Sequence, residues 1–311
     1  MKKNIIIVFT VSVVALIILF VGLWFWGAMA TGAKETIVQS KGGASQLSYE
    51  LARKKVIRSP LMFRLEWGKS GAPQEGYYAL EGKSLKEIIT QIKQGPNVAK
   101  VTIPEGFSSG QIAQRLGKNG FDAQKIYTKL QGVEGKLFPD TYYFLKNETP
   151  DEIIKDLTDE YQKKTTELSL SEDDLILASI VEREAKKDVE RPQIAAVYKN
   201  RLEQGKDLEA DPTVQYARDL DLIKSQGLTG TNLWEPLGAG QTKSISSAYN
   251  TYVNGGLPPG PICNPGLKSI KAALTPEIDF DYLYFFHDKD GVIHFSKSFE
   301  EHKELIKQFG L

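Results

Sequence analysis

The amino terminus constrains this chain most, because two lysines there precede a long uncharged apolar stretch. Residues 5–33 contain no Asp, Glu, Lys or Arg, and their apolar core runs to Trp26. Since an α-helix rises about 1.5 Å per residue, such a stretch can cross the roughly 30 Å hydrocarbon core of a bilayer. It also exceeds the apolar core of a cleaved signal peptide, which is about 7 to 15 residues long. The sequence therefore predicts a cytoplasmic tip and a retained membrane anchor over residues 1–34.

The residues that flank this stretch predict its orientation. Lys2 and Lys3 place the amino end in the cytoplasm under the positive-inside rule, and the tryptophans at 24 and 26 suit the opposite membrane interface. The chain from about Thr31 onward is then exported, so the predicted location is the cytoplasmic (inner) membrane with a single pass. The small residues around Ala28 resemble a cleavage site, and a cleaved signal peptide is the alternative.

The charge balance and the motif inventory exclude several function classes. Lys plus Arg and Asp plus Glu number 39 each, so nothing in the net charge indicates nucleic acid as a partner. Cys263 is the only cysteine, which rules out an intrachain disulfide. The histidines at 287, 294 and 302 lack the one-turn pairing of a zinc protease helix, and there is no Gly-x-Ser-x-Gly elbow. We therefore expect neither a metal nor a cofactor.

Length and periodicity predict an α+β protein of about two domains beyond the apolar stretch. Residues 35–98 alternate strand-like runs with helices over about 45–54 and 84–93. The remainder of the 311 residues mixes helices with short strands and includes a hairpin between residues 281 and 296. A faint internal repeat, with an offset of 65 residues, pairs Gln46, Leu47 and Leu51 with Gln111, Ile112 and Leu116.

Two later segments are candidates for binding. The run 211–216 reads as a short extended segment whose alternating polar side chains point into a cleft, or alternatively as an edge strand. Residues 246–266 contain many prolines and glycines and predict a long irregular loop, and loops of that length tend to be functional. Within it Tyr249, Asn250 and Tyr252 offer flat faces and neutral hydrogen-bonding groups suited to sugar rings.

One acidic residue stands out on a predicted helix. Ser171 and Asp174 have the spacing of a capping box, which predicts that a helix begins there and runs to about residue 187. Since successive residues of a helix are about 100° apart, Glu182 lies on the side of this helix opposite to Glu184. The residues that share the face of Glu184 are all apolar: Leu177, Ile180 and Val181.

The position of Glu184 predicts a specific chemistry. A carboxyl group held against apolar side chains is pushed toward its neutral form, so its pKa rises. A neutral carboxylic acid near pH 7 is the proton donor that cleavage of a glycosidic bond requires. The alternative is an ordinary ion pair between Glu184 and a neighbouring Arg or Lys. Glu182 is interpreted as structural.

Several motifs occur together and in order, and together they resemble the YceG-like endolytic murein transglycosylases. The resemblance covers nearly the whole chain and implies three parts: the anchor at 1–34, a LysM-like βααβ module at 35–98, and a catalytic domain at 99–311 with its acid on a central helix at about 171–187. The motifs are Glu134-Gly-x-Leu-Phe-Pro-Asp-Thr-Tyr142, Ala178-Ser-Ile-Val-Glu-x-Glu184, Asp211-Pro-Thr-Val214, Tyr249-Asn-Thr-Tyr252, Gly256-Leu-Pro-Pro-Gly-Pro-Ile262 and Asn264-Pro-Gly266.

The resemblance implies a lyase that cleaves peptidoglycan glycan strands outside the cytoplasmic membrane and leaves a 1,6-anhydro end. The family's catalytic glutamate corresponds to Glu184, in agreement with the helical-face argument. Candidate substrate-binding residues are Tyr249, Asn250, Tyr252, Thr213, Gln215 and Asp211.

Two other functions remain open. A hydrolytic muramidase would use Asp211 or Glu182 to activate water, and a non-catalytic glycan-binding protein would hold strands without cleaving them. By analogy with the family, partners would include peptidoglycan synthases, or penicillin-binding proteins, of the elongation or division machinery. No nucleic acid is expected.

Overall fold

The protein has a mixed α+β structure, which confirms the predicted fold class. The structure is a computed structural model that describes residues 2–238 and 240–309. Contacts divide it into two compact units. The first contains the chain up to Lys100 together with Tyr143–Asn147, and the second contains Val101–Tyr142 and the chain from Glu148 onward.

The first unit begins with helix α1, Lys2–Ala28, in which the segment Phe9–Ala28 is long and apolar enough to cross a membrane. Large apolar side chains along it, such as Leu16 and Phe20, are more than half exposed, as lipid-facing side chains would be. The helix matches the predicted anchor in length and composition. The side chains of Lys2 and Lys3, on which the predicted orientation rests, lie outside the described part of the structure.

The remainder of the first unit contains strands β1 and β2, which are antiparallel, and the parts of β3 and β4 up to Lys100 and from Tyr143; the strand order of this four-stranded sheet is β1-β2-β3-β4. The helices confirm those predicted at about 45–54 and 84–93, and they pack a core that includes Phe63, Tyr78 and Ile88. The strands are β1 (Thr36–Ser40), β2 (Gly76–Leu80), β3 (Val98–Thr102) and β4 (Thr141–Leu145), and the helices are α2 (Ala44–Arg53), α3 (Pro60–Trp67) and α4 (Leu85–Lys93).

The second unit consists mainly of helices, with the predicted hairpin near its end. A short 3₁₀ turn, Asp188–Glu190, joins α8 to α9. The helices are α5 (Ser109–Lys118), α6 (Ala123–Lys129), α7 (Pro150–Thr165), α8 (Glu172–Glu184), α9 (Arg191–Glu203), α10 (Asp211–Gln226), α11 (Gln241–Ser244), α12 (Leu267–Leu274) and α13 (Phe299–Phe309), and the hairpin strands are β5 (Tyr284–His287) and β6 (Ile293–Ser296).

Helix α8 lies at the centre of the second unit. Its predicted capping box is present, because the Ser171 hydroxyl accepts from the Asp174 backbone N–H while the Asp174 carboxylate accepts from the backbone of Ser171. Every residue from Leu175 to Val181 is buried, so the helix is covered on all sides. It ends at Glu184, three residues before the predicted end.

The prediction for residues 211–216 was wrong. They are not extended but form the first turns of α10. Pro212 lies in the first turn, where its ring and its missing N–H are tolerated. Val214 and Ala217 are both buried at a spacing of three residues, which a helix explains better than a strand.

The loop at 246–266 is irregular, as predicted, but its second half belongs to the core. Residues 260–266 are all buried. The Ile262 backbone N–H donates to the Ser179 hydroxyl over 3.0 Å, and the Cys263 thiol donates to the Ser179 carbonyl over 3.2 Å. This half of the loop therefore supports α8 rather than presenting side chains to solvent.

Candidate active site

Glu184 is the last residue of α8, and its carboxyl group contacts the Tyr198 side chain of α9. The Tyr198 hydroxyl donates to Glu184 Oε1 over 2.9 Å. Burial raises the pKa of Glu184 to about 7, the nearby negative charge of Asp211 adds to the shift, and the Tyr198 hydrogen bond opposes it. Its place at a helix C-terminus also disfavours a negative charge. Near neutral pH this carboxyl group therefore exists in comparable amounts as acid and carboxylate.

Glu184 does not form the ion pair that sequence left open as an alternative, within the residues that the structure describes. Arg183, the next residue back, stacks its guanidinium 3.7 Å from the Trp234 ring and donates to the Gly106 carbonyl. The positive charge of Arg201 lowers the pKa of Glu184. The Arg201 guanidinium donates to the carbonyls of Leu208 (2.7 Å) and Leu283 (2.6 Å). Both cations are thus occupied elsewhere.

Asp211 and Tyr252 complete the surroundings of Glu184. The Tyr252 hydroxyl donates to Asp211 Oδ1 over 2.7 Å. Burial raises the pKa of Tyr252, and the Asp211 carboxylate and the Glu184 charge raise it further. Asp211 is exposed and Tyr252 is half-buried. The structure therefore brings two of the predicted binding residues into the electrostatic neighbourhood of the candidate acid.

Thr213 and Asn250 were predicted to bind sugar, but both side chains are fully buried. The Thr213 hydroxyl donates to the Ala210 carbonyl over 2.7 Å, and the Asn250 amide donates to the Ile245 carbonyl over 2.7 Å. Their polar atoms are consumed by these internal contacts. The Thr213 hydroxyl also bonds to the Thr251 hydroxyl over 2.9 Å, which holds the turn that carries Tyr252 to the start of α10, whereas the Asn250 amide links residues within 242–250. Both side chains thus make internal contacts, and their role in sugar binding stays a prediction.

The other two candidates are half-buried. Gln215 donates to the Glu235 carbonyl over 3.0 Å. The Tyr249 ring packs edge-on against Tyr216 with centroids 4.9 Å apart. Tyr249 thus packs against Tyr216 of α10, whereas Gln215 bonds to a neighbouring loop.

Glu182 makes internal contacts in the structure. Its carboxylate pairs with the Arg191 guanidinium at 3.2 Å and accepts the Gly266 backbone N–H over 3.0 Å. Both Glu182 and Arg191 are almost fully buried side chains. A carboxylate held by these partners is poorly placed to activate water.

Glu134 is a second acid with a perturbed pKa, and sequence reasoning assigned it no role. Its carboxylate accepts from the Ser109 backbone N–H (3.0 Å to each oxygen), the Asn264 amide (2.7 Å) and the Tyr216 hydroxyl (3.2 Å). Burial raises its pKa to about 7, although all of these donors act to lower it. The sequence does contain one signal for Glu134, which is its position at the start of the motif Glu134-Gly135. An acidic residue in so apolar a motif needs hydrogen-bond partners.

The two acids differ in what their carboxyl groups can still do. Glu134 receives hydrogen bonds at both oxygens, so it serves as a link between the start of α5, α10 and the buried loop. Glu184 receives one side-chain hydrogen bond, from Tyr198. A proton donor must have an oxygen facing the atom that it protonates. Glu184 is therefore the better candidate for the catalytic acid.

The chain is similar to known proteins of one family. The model of the YceG-like family matches residues 37–308. The chain is 29% identical to an endolytic murein transglycosylase of Bacillus subtilis, covering 88% of this chain and 83% of the relative. It is 29% identical to one of Streptococcus pneumoniae, covering 75% of this chain but 50% of that relative.

A solved structure is also similar. A 2.6 Å crystal structure of a YceG-like protein of Listeria monocytogenes aligns with a TM-score of 0.56 and 30% sequence identity, covering 88% of this chain and 99% of that one. Because the family model spans most of the sequence and this structural match covers nearly the whole solved chain, we conclude that the protein belongs to the YceG-like family.

Proposed function

We propose that the protein is a membrane-anchored endolytic lytic transglycosylase that cleaves the bond between N-acetylmuramic acid and N-acetylglucosamine in peptidoglycan. Relatives named endolytic murein transglycosylases support the reaction class. The observation that carries the proposal is the carboxyl group of Glu184, whose pKa is raised to about 7 and which has one side-chain hydrogen bond. Such a group can both give and take a proton near neutral pH.

The proposed reaction uses one carboxyl group twice. Glu184 first gives its proton to the bridging oxygen, and the bond from that oxygen to the muramic anomeric carbon breaks. The resulting carboxylate then takes the proton from the C6 hydroxyl of the same muramic residue, whose oxygen bonds to the anomeric carbon. The product is a 1,6-anhydro ring, and no water is consumed. A second enzyme carboxylate is not needed because the nucleophile is held within the substrate.

The products distinguish this reaction from hydrolysis, for which the exposed Asp211 beside Glu184 is the candidate base. We expect purified glycan strands treated with the full chain to yield ends lighter by one water than reducing ends, as measured by mass spectrometry. Reducing muramic ends as the main product would instead establish a muramidase. Strands bound but left intact would establish a glycan-binding protein without activity.

We propose that α1 anchors the protein in the cytoplasmic membrane, with the amino end inside and the catalytic domain outside. Lys69 is exposed beyond this helix, and Cys263 is buried and so should not react with thiol reagents. In spheroplasts a membrane-impermeant maleimide is expected to label Lys69→Cys but not Lys2→Cys. Labelling of Lys2→Cys alone would reverse the orientation, and recovery of both variants in the soluble fraction would rule out the anchor.

We also propose that residues 35–98 form a LysM-like module and residues 99–311 the catalytic domain. The order β1, α2, α3, β2 supports the module, since it is a βααβ arrangement. The first unit goes beyond such a module, because it also contains α4 and parts of β3 and β4. Peptidoglycan synthases at the same membrane surface are the proposed partners, and chemical crosslinking of the full chain in its native membrane would test for them.

A further inference from the structure

The faint sequence repeat corresponds to a repeat of structure. The order β1, α2, α3, β2 recurs as β3, α5, α6, β4, and each element begins about 60 to 65 residues after its counterpart. The second helix of each pair also begins in the same way. The Ser59 side chain accepts from the backbone at the start of α3, and the Asp122 side chain does so at the start of α6. The chain thus contains two βααβ units.

In the first βααβ repeat, residues 54–59 connect α2 to α3. The end of α1 and the residues that follow it cover this connection. The Arg58 guanidinium lies 5.5 Å from the Trp26 ring. The Thr31 hydroxyl donates to the Val56 carbonyl over 3.3 Å. Residues of the same chain therefore already contact the α2–α3 connection.

In the second βααβ repeat, the corresponding connection, between α5 and α6, borders a cavity of about 560 Å³. It lies between α5, the start of α6 and the loop at 228–232, all within one compact unit. The Gln114 amide donates to the carbonyls of Leu228 and Thr231, each over 2.8 Å, and so fixes the loop that forms the far wall. The cavity has the volume of a small-ligand site, for which about 300–1,000 Å³ is usual.

The lining of this cavity has the chemistry of a carbohydrate site. Gln124, Thr229 and Asn232 are exposed and carry neutral amide and hydroxyl groups, which can pair with sugar hydroxyls and acetamido groups. The half-buried Phe121 offers an apolar surface for a sugar ring. The charged members, Lys118 and Asp122, have opposite signs, and so the lining favours a neutral ligand over an anion.

We propose that this cavity is a second glycan subsite, which holds N-acetylated sugars of the strand whose cleavage depends on Glu184. The inference rests on the proposed function, because it takes peptidoglycan as the substrate. Glu184 does not line the cavity, so the subsite would act on strand binding and on the choice of bond rather than on the chemical step. Short substrates that cannot reach both places should be insensitive to it.

The test uses the full chain carrying Glu184→Gln, so that bound strands are not consumed, and stem-peptide-free glycan strands as the probe. The double substitution Gln124→Ala and Asn232→Ala removes two exposed hydrogen-bonding groups from the lining. We expect the dissociation constant for the strands to rise about tenfold. The matched control is Gln204→Ala, which removes an exposed amide at the end of α9 and should leave affinity unchanged.

The same double substitution on the active enzyme should shift the length distribution of products while leaving kcat on a short glycan unchanged. Unaltered affinity and unaltered product lengths would overturn the subsite and leave the proposed function standing. Failure of the otherwise unsubstituted chain to bind or cleave glycan strands would overturn both. Equal circular dichroism melting curves for the double variant and the control would exclude misfolding as the cause of a loss.

Discussion

Glu184→Gln is expected to lower kcat on peptidoglycan glycan strands by about 100- to 10,000-fold, the usual contribution of a general acid. Gln keeps the size of the side chain and can still accept from the Tyr198 hydroxyl, but it has no acidic proton to give. The measurement is the rate of release of 1,6-anhydro products from purified strands. The matched control is Glu182→Gln, which alters the neighbouring acid held by Arg191 and Gly266 and not the proposed donor.

The pH dependence of the unsubstituted enzyme provides a second test of the role of Glu184. The first step requires Glu184 in its protonated form, and its pKa lies at about 7. We therefore expect kcat/KM to fall about tenfold per pH unit above pH 7. Tyr198→Phe removes a hydrogen bond that lowers this pKa, so the fall should begin at a higher pH. A profile that stays level from pH 6 to pH 9 would contradict the assignment.

The raised pKa also has a consequence for stability. A glutamate with a pKa near 4.5 when unfolded and about 7 when folded favours the folded state fully below pH 4.5, and this contribution is lost as pH rises to 7. Gln does not titrate. Glu184→Gln should therefore be more stable than the unsubstituted protein at pH 8, by about 1 to 3 kcal/mol, and similar to it at pH 4. A variant that loses activity while gaining stability cannot owe its loss to unfolding.

Glu134→Ala is expected to have the largest effect on stability. The substitution leaves the Ser109 backbone N–H, the Asn264 amide and the Tyr216 hydroxyl without their shared acceptor, and it enlarges a cavity of about 40 Å³ beside them. Unsatisfied buried donors cost about 1 to 3 kcal/mol each. Because the structure can relax around some of them, we expect the free energy of unfolding to fall by about 3 to 5 kcal/mol, as measured by urea denaturation.

A control distinguishes the loss of the hydrogen bonds to Glu134 from the loss of any acidic side chain in this part of the chain. Glu172 forms an exposed ion pair with Lys136, and so Glu172→Ala should cost less than about 1 kcal/mol. If Glu134→Ala folded with unchanged stability yet lost activity, Glu134 would be a substrate-contacting group instead of a structural link.

Local patterns were sufficient to predict a large part of the fold. The capping box at Ser171 and Asp174 fixed the start of α8, since such a motif depends on residues three apart in sequence. The terminal hairpin and the apolar α1 follow likewise from short-range periodicity. The apolar face of Glu184 was predictable for the same reason, because helical geometry alone places a residue among its neighbours one turn away.

What could not be predicted depends on contacts between distant segments. Thr213 was assigned to a cleft, but its partner Thr251 lies 38 residues away, and only the folded chain shows the pair to be buried. Glu134 receives the Asn264 amide across 130 residues of sequence. The six residues from 211 were interpreted as extended, but they begin a helix in which Val214 and Ala217 are buried together.

The contacts of Thr251 bear on how the enzyme would work. Its hydroxyl accepts from the Ala210 backbone N–H over 3.0 Å and bonds to the Thr213 hydroxyl over 2.9 Å, so the turn that carries Tyr252 is fastened to the helix that carries Asp211. Two residues in the surroundings of Glu184 are thus preorganised in the free protein, and they need little conformational adjustment when substrate arrives. The conformational adjustment needed for cleavage would then fall mainly on the glycan strand.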